Sequence, residues 1–260
     1  SGLESIVQAG RAIRLGDARV CLAGGVESMS RAPWSFGKPQ TAFPSGAPAV
    51  FDTALGWRYP NPRMEAIFPL ESMGETAENL VDKYEISRFD QDEYACRSHA
   101  KACAAQDAGR FDDEIVAVTT RENKVEAIVD KDEGPRRDTT GAKLATLKPA
   151  FREQGTVTAG NSSSLNDGAA ALVMCSRQYA NDHALNILAT LRGAQSAGVD
   201  PRTMGIGPVP ATEKLLAKLK LSARDLDVIE LNEAFAAQSL AVIRQLDLPI
   251  DRVNPNGGAI

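Results

Sequence analysis

The chain has 260 residues, 43% of them hydrophobic and 24% charged, with a formal net charge of -5. That length allows one large domain or two ordinary ones around a sizeable core, and the composition is that of a soluble globular protein. The acidic balance argues against nucleic acid or an anionic membrane as the main partner, although it leaves room for a local basic patch facing a charged cofactor.

The first stretch, SGLESIVQAG, opens without Met and enters a helical pattern at once. Over residues 2–15 Leu3, Ile6, Val7, Gly10 and Ile13 form one stripe, and Gly16 supplies a stop. ARVCLAGG then reads as a strand buried on both faces, so helix and strand together form half of a βαβ rhythm. From Pro33 to Pro69 the rhythm disappears into a proline-rich, aromatic segment. It is too irregular for regular elements and too apolar for disorder, and a segment of this kind usually covers a binding site.

Two capped helices follow, one starting at Ser72 with Glu75 three residues on, the other at Ser87 with Asp90. The second is expected to run to Ala108 and stop at Gly109. IVAVTT and KVEAIVD read as strands, before a polar loop, KDEGPRRDTTGAK. GTVTAGNSSSLNDGAAALVMCS has β character on either side of a Gly/Asn/Ser turn, and ILATLRGAQSAG is a further strand candidate. PATEKLLAKL reads as an amphipathic helix with Pro at its start. Near the end a strand closes at Leu231, and a helix begins near Glu233.

Cys21, Cys96, Cys103 and Cys175 are scattered without a CxxC, which fits a reducing, cytoplasmic setting. Cys96, His99 and Cys103 share one helical face, but zinc needs a fourth ligand that the spacing does not offer, so they read as small buried helix residues. The longest strongly apolar run, Gly168 to Cys175, is too short to cross a bilayer.

In open α/β sheets ligands bind beyond the carboxyl ends of strands. GGVESMS, GNSSSLNDG and LNEAF are turns of that kind. Asn232 in the last has two readings: a helix N-cap, or an amide that fixes a water or a carbonyl in an oxyanion hole. His99 and His183 lie away from strand ends, so a Ser–His–Asp triad has no support. Neither GxGxxG nor GxxxxGK[ST] is present, which removes the usual nucleotide-binding readings.

Five blocks, GGVESMSRAPW, SMGETAEN, LKPAFREQGTVTAGNSSSLNDGAAA, MGIGPVPA and LNEAFAAQ, occur in this order along nearly the whole chain. Together they resemble the thiolase family of acyl-CoA acyltransferases, and FDTALGWRYPNPRME is most similar to degradative β-ketoadipyl-CoA or 3-ketoacyl-CoA thiolases. The resemblance implies an α/β, layered α-β-α-β-α fold, incomplete here, with an inserted α+β loop domain. The implied division is 1–36 and 165–186 for the N-terminal half, 37–164 for a CoA-binding loop domain, and 187–260 for the C-terminal half. It implies a nucleophilic Cys two residues before the SGL stretch, and a His and a second Cys after NGGAI. On that reading Ser1 and Gly2 are remains of the nucleophile turn, Gly257 and Gly258 open the His-bearing loop, and the 260 residues alone lack turnover.

By the same resemblance Asn232 is catalytic, holding a water that completes an oxyanion hole. Arg136 meets the CoA nucleotide, and Ala159 and Ser163 hold pantetheine. Phe151, Met204, Phe235 and Met73 are apolar walls, which without the family would read as plain core. Ser72 stands where acetoacetyl-specific members place His, which favours a longer or dicarboxylic acyl chain, with Arg58 or Arg63 reading a distal carboxylate. Coenzyme A or acyl-CoA is implied as substrate rather than as a covalent cofactor, with no metal and a homodimer or homotetramer. A CoA-binding or assembly module that keeps the scaffold without the chemistry is the alternative.

Overall fold

The structure, a computed structural model, describes residues 2–122 and 125–260, so Ser1 of the expected nucleophile turn lies outside the described residues. In chain order the elements are helix α1 (Gly2–Leu15) and strands β1 (Val20–Ser28), β2 (Trp34–Phe36) and β3 (Val50–Asp52). Helices α2 (Pro62–Glu65), α3 (Met73–Tyr84) and α4 (Arg88–Asp107) come next, then strands β4 (Val118–Glu122) and β5 (Val125–Val129) and helix α5 (Gly141–Ala145). Strand β6 (Asp167–Cys175) and helices α6 (Arg177–Asp182), α7 (Pro208–Leu219) and α8 (Ala236–Gln245) complete the series. They divide between two units, one of residues 1–59 and 165–195, the other of residues 60–164 and 196–260.

In the first unit α1 ends as its stripe and glycine predict. Gly16 has φ +84°, and Asp17 N–H reaches back to Ala12 O, the long bond of a Schellman turn. β1 pairs with β6 in register from Val20↔Cys175 to Ser28↔Asp167, but antiparallel, so no βαβ unit forms here. Nor is β1 buried on both faces. Gly10 of α1 packs against Met174, the partner of Cys21, which puts the helix on the face that also carries buried Ala23. Leu22 (76% exposed), Val26 (80%) and Val173 (69%) alternate onto the other face, which no described element of the unit covers. The irregular segment does contain regular structure, since β2 and β3 form a short antiparallel pair and the Phe51 ring packs at a tilt of 52° against Tyr59, with ring centroids 4.8 Å apart.

In the second unit both predicted caps are made. Ser72 Oγ accepts from Glu75 N at 3.2 Å and Ser87 Oγ accepts from Asp90 N at 3.0 Å. The core joins Leu80, Ile86, Tyr94, Ile206, Val209, Leu240, Val242 and Val253, with α8 buried along most of its length. β4 and β5, both expected as strands, pair antiparallel, and α7 begins at Pro208, two residues before the Pro210 at the start of PATEKLLAKL.

Three predicted strands are absent among the described residues. Residues 155–166 hold no strand, because Glu78 rather than a β ladder takes the backbone N–H groups of Thr156 and Val157. The strand expected to end at Leu231 shrinks to one bridge, Ile229↔Val253. Beyond it the side chain of Asn254 stands in for a neighbouring strand, accepting from Leu231 N at 2.7 Å and donating to Leu231 O at 2.8 Å. Residues 187–198 form no strand either, although their pattern is apolar enough for one.

Candidate functional site

The candidate residues on the turn at 158–163 and around Asn232 come together through buried polar side chains. Glu78 on α3 is 1% exposed. Its Oε1 accepts from Thr156 N and Val157 N, each at 2.7 Å. Asn161, fully buried, accepts from Thr158 N at 2.8 Å and donates to Asp92 Oδ1 at 3.0 Å and Thr156 O at 3.2 Å. A buried amide with every group satisfied holds a single conformation. The turn leaves Ala159 exposed and Ser163 half-buried. It then docks on the residues before α8: Ser163 N donates to Ala234 O at 3.0 Å, Ala236 N donates to Asn161 O at 2.9 Å, and Ser162 bridges Phe235.

The apolar candidates share α3 as a platform. Phe151 meets Phe235 edge to face, with centroids 5.9 Å apart at 86°. On its other side the Phe151 ring lies on the backbone of Gly74, where an added Cβ would come within 2.2 Å of it. Arg152 holds the ring there. It binds Glu75, Asn79 and Asp82, one residue from each successive turn of the helix, at 2.9, 2.9 and 2.6 Å. Met73, exposed, is the first residue of the same helix. Met204 lies on a 3₁₀ turn (Pro201–Ile206) tied to α3 by Asn79 Nδ2 donating to Arg202 O at 2.9 Å. All four are more open than plain core positions: Met73, Phe151 and Met204 are exposed, and Phe235 is half-buried.

Asn232 is exposed. The helix after it starts at Ala236, not near Glu233, and Phe235 at its cap gives no side-chain bond, so the N-cap reading of Asn232 is corrected. On one side Asn254 pins Leu231. On the other, Glu233 is buried and accepts four hydrogen bonds, from Tyr94 Oη, Ser98 Oγ, Asn254 Nδ2 and Ile260 N. Burial and the neighbouring Glu233 carboxylate push the Tyr94 phenol well above its ordinary range, so it stays a donor.

Arg136 sits elsewhere in the unit. Its backbone N–H donates to His99 Nδ1 at 3.1 Å, at a cavity of about 270 Å³ that Cys96, Cys103, Asp107 and Arg137 also line, and no other candidate residue does. Burial, and then the Arg136 charge, hold the His99 pKa below its usual value. Arg137 is not free for a ligand, since both its terminal nitrogens bind Asp107 at 2.7 Å. Cys103 and His99 are buried and Cys96 half-buried, as expected of helix residues facing inward. Among the described residues no three His, Cys, Asp or Glu side chains converge as a metal site.

The supporting residues Glu78, Arg152, Asn161, Glu233 and Asn254 are not evident from sequence. A buried carboxylate and an exposed one look alike in a string of letters. The available signal was the placing of Glu233 between Asn232 and the apolar run Ala234–Ala237.

Family models of the thiolase N-terminal domain and the thiolase C-terminal domain match residues 1–178 and 185–260. The chain belongs to the thiolase family. It is 53% identical to a β-ketoadipyl-CoA thiolase of Pseudomonas knackmussii and 50% identical to the 3-oxoadipyl-CoA/3-oxo-5,6-dehydrosuberyl-CoA thiolase of Escherichia coli. All of this chain aligns in both comparisons, spanning 65% of the length of each relative. Among solved structures it resembles a Bacillus anthracis acetyl-CoA acetyltransferase (46% identity) and human mitochondrial 3-ketoacyl-CoA thiolase (40%), each with TM-score 0.90. Both matches cover the whole of this chain and 64% of the other. The thiolase-like α/β fold expected from the five sequence blocks is thereby established, and no helix among the described residues is long and apolar enough to cross a membrane.

Proposed function

We propose that the protein is a degradative thiolase. It cleaves a 3-oxoacyl-CoA with free CoA, giving acetyl-CoA and a shortened acyl-CoA by way of a cysteine thioester. The observation that supports this reading is the docking of the 158–163 turn onto residues 234–236, which ties Ser163 to Ala234, two residues along the chain from the exposed Asn232. In this reading Asn232 serves the oxyanion hole through a held water, an electrostatic role that needs a fixed dipole rather than a titrating group. Ala159 and Ser163 contact pantetheine; Met73, Phe151, Met204 and Phe235 line the acyl and pantetheine path; Arg136 meets the CoA nucleotide. The loop domain at 37–164 carries most of these CoA contacts. CoA is a substrate rather than a covalently bound cofactor.

The substrate is a dicarboxylic 3-oxoacyl-CoA such as β-ketoadipyl-CoA, in keeping with the relatives named for thiolysis of 3-oxoadipyl-CoA. Arg63, exposed in α2 and in the unit that carries Asn232, is the candidate for its distal carboxylate. Arg58 lies in the other unit, where its guanidinium donates to Gly56 O. The protein works in the cytoplasm as a homodimer or homotetramer. Thiolysis of β-ketoadipyl-CoA and of straight-chain 3-ketoacyl-CoA esters, by the protein as its gene encodes it, tests the reading. Arg63→Ala and Arg58→Ala should each be compared, and at least one should lose the preference for the dicarboxylic ester. Unchanged preference in both rejects the carboxylate assignment, and CoA binding without turnover rejects the enzyme.

A further inference from the structure

Glu233 places an acidic side chain where acids are rarely found, 1% exposed and with no ion pair to lysine or arginine among the described residues. What it has instead is a full set of neutral donors. Oε1 accepts from Tyr94 Oη at 2.9 Å and from Asn254 Nδ2 at 2.7 Å; Oε2 accepts from Ser98 Oγ at 2.6 Å and from Ile260 N at 3.3 Å. The donors come from α4, from the turn at 254, and from the residue at 260. Ser98 Oγ in turn accepts from Gly258 N at 3.1 Å.

The two glycines of NGGAI fit this arrangement. Gly257 has φ +82°, and a Cβ there would lie 2.6 Å from the Ala102 backbone. A Cβ at Gly258 would lie 2.2 Å from the Glu233 carboxyl carbon. Backbone must come this close to α4 and to the carboxylate, and only glycine allows it.

We infer that Glu233 is a positioning residue, whose carboxylate couples the turn bearing Asn232 to the 254–260 turn so that both take up their places together. Tyr94 and Ser98 fix the carboxylate from α4, and Asn254 links it to Leu231 as well. A carboxylate offers two oxygens that only accept, whereas the amide of glutamine would turn its hydrogens toward Asn254 Nδ2 or Ile260 N, neither of which can accept. Glu233→Gln is therefore a change of nearly equal volume that breaks the coupling. The effect on turnover rests on the thiolase reading above; the coupling does not.

Two measurements separate them. Hydrogen exchange on the Glu233→Gln protein should show lost protection in both 229–235 and 254–260, while 155–163 keeps its protection. On the protein as its gene encodes it, kcat for thiolysis should fall more than tenfold while KM and the Kd for CoA stay within about twofold. Glu233→Asp, which keeps the acceptors, should recover part of kcat. Should Glu233→Gln fail to fold, Ser98→Ala replaces it; that variant removes one donor to Glu233 and the acceptor of Gly258 N, and both segments should again lose protection. Unchanged exchange, or loss in one segment alone, overturns the coupling. Loss in both with kcat unchanged, or with Kd weakened as much as kcat, overturns the positioning role. A wild-type protein without thiolysis removes the thiolase reading and leaves exchange to decide the coupling.

Discussion

Replacing Gly74 by Ala tests how firmly Phe151 is held. The new methyl would stand 2.2 to 2.3 Å from three ring atoms, where ordinary contact begins at 3.4 Å, so the ring must withdraw by more than an ångström. Arg152 resists that movement by gripping three turns of α3. Overpacking of this kind costs about 1–3 kcal/mol. Disturbing the edge-to-face pair with Phe235 adds about 0.5–1.5 kcal/mol. Alanine returns up to about 1 kcal/mol of helix propensity, less at the second position of a helix. The net expectation, from these same terms, is a loss of about 2 kcal/mol. Urea unfolding followed by circular dichroism reads it as a lowered midpoint with an unchanged slope. In a Phe151→Ala background the three atoms nearest the new methyl are gone, so Gly74→Ala should there be neutral or stabilising. The reasoning is refuted if the single variant melts at or above wild type, or if the two changes simply add.

Other expectations follow from the buried polar groups. Glu78→Gln keeps one oxygen for the Thr156 and Val157 amides and should cost about 1 kcal/mol or less, whereas Glu78→Ala leaves both unmet and should cost about 3 kcal/mol or more by the same denaturant assay. Asn254→Asp replaces a donor with a second carboxylate oxygen facing both Leu231 O and Glu233, and should lower stability by at least about 2 kcal/mol. For His99 the folded pKa is depressed, so the folded state binds fewer protons than the unfolded chain. Its contribution is present above the unfolded value near pH 6.5 and is lost as pH falls below it, because protonated Nδ1 can no longer accept from Arg136 N. The neighbouring charges act in both directions, Arg136 lowering the pKa and Glu233 and Asp138 raising it. Melting temperature against pH should flatten below that value in His99→Gln, and a slope identical to wild type would count against the assignment.

What could be read from sequence was whatever local chemistry decides. Ser72, Ser87 and Gly16 mark helix ends through their own backbone preferences, and the structure places the ends there. The misplaced strands lie where a distant side chain replaced a ladder. Glu78 serves Thr156 and Val157 across more than seventy positions, and Asn254 serves Leu231. No periodicity within a window of residues could report such partners. The same holds for the exposed ribbon face, since Leu22 and Val173 have the letters of a buried strand whether or not anything lies over them. Asn232 itself was legible as a residue of interest. That it does not cap α8 became visible only with the helix start at Ala236.

The carboxamide of Asn254 has one further implication. A β ladder that slips by two residues finds equivalent partners again, because every rung is made of the same backbone groups. A single amide side chain clasping both polar groups of Leu231 has only one address, and no neighbouring rung can imitate it. Insertions and deletions among related sequences should therefore spare the spacing around Leu231 and Asn254.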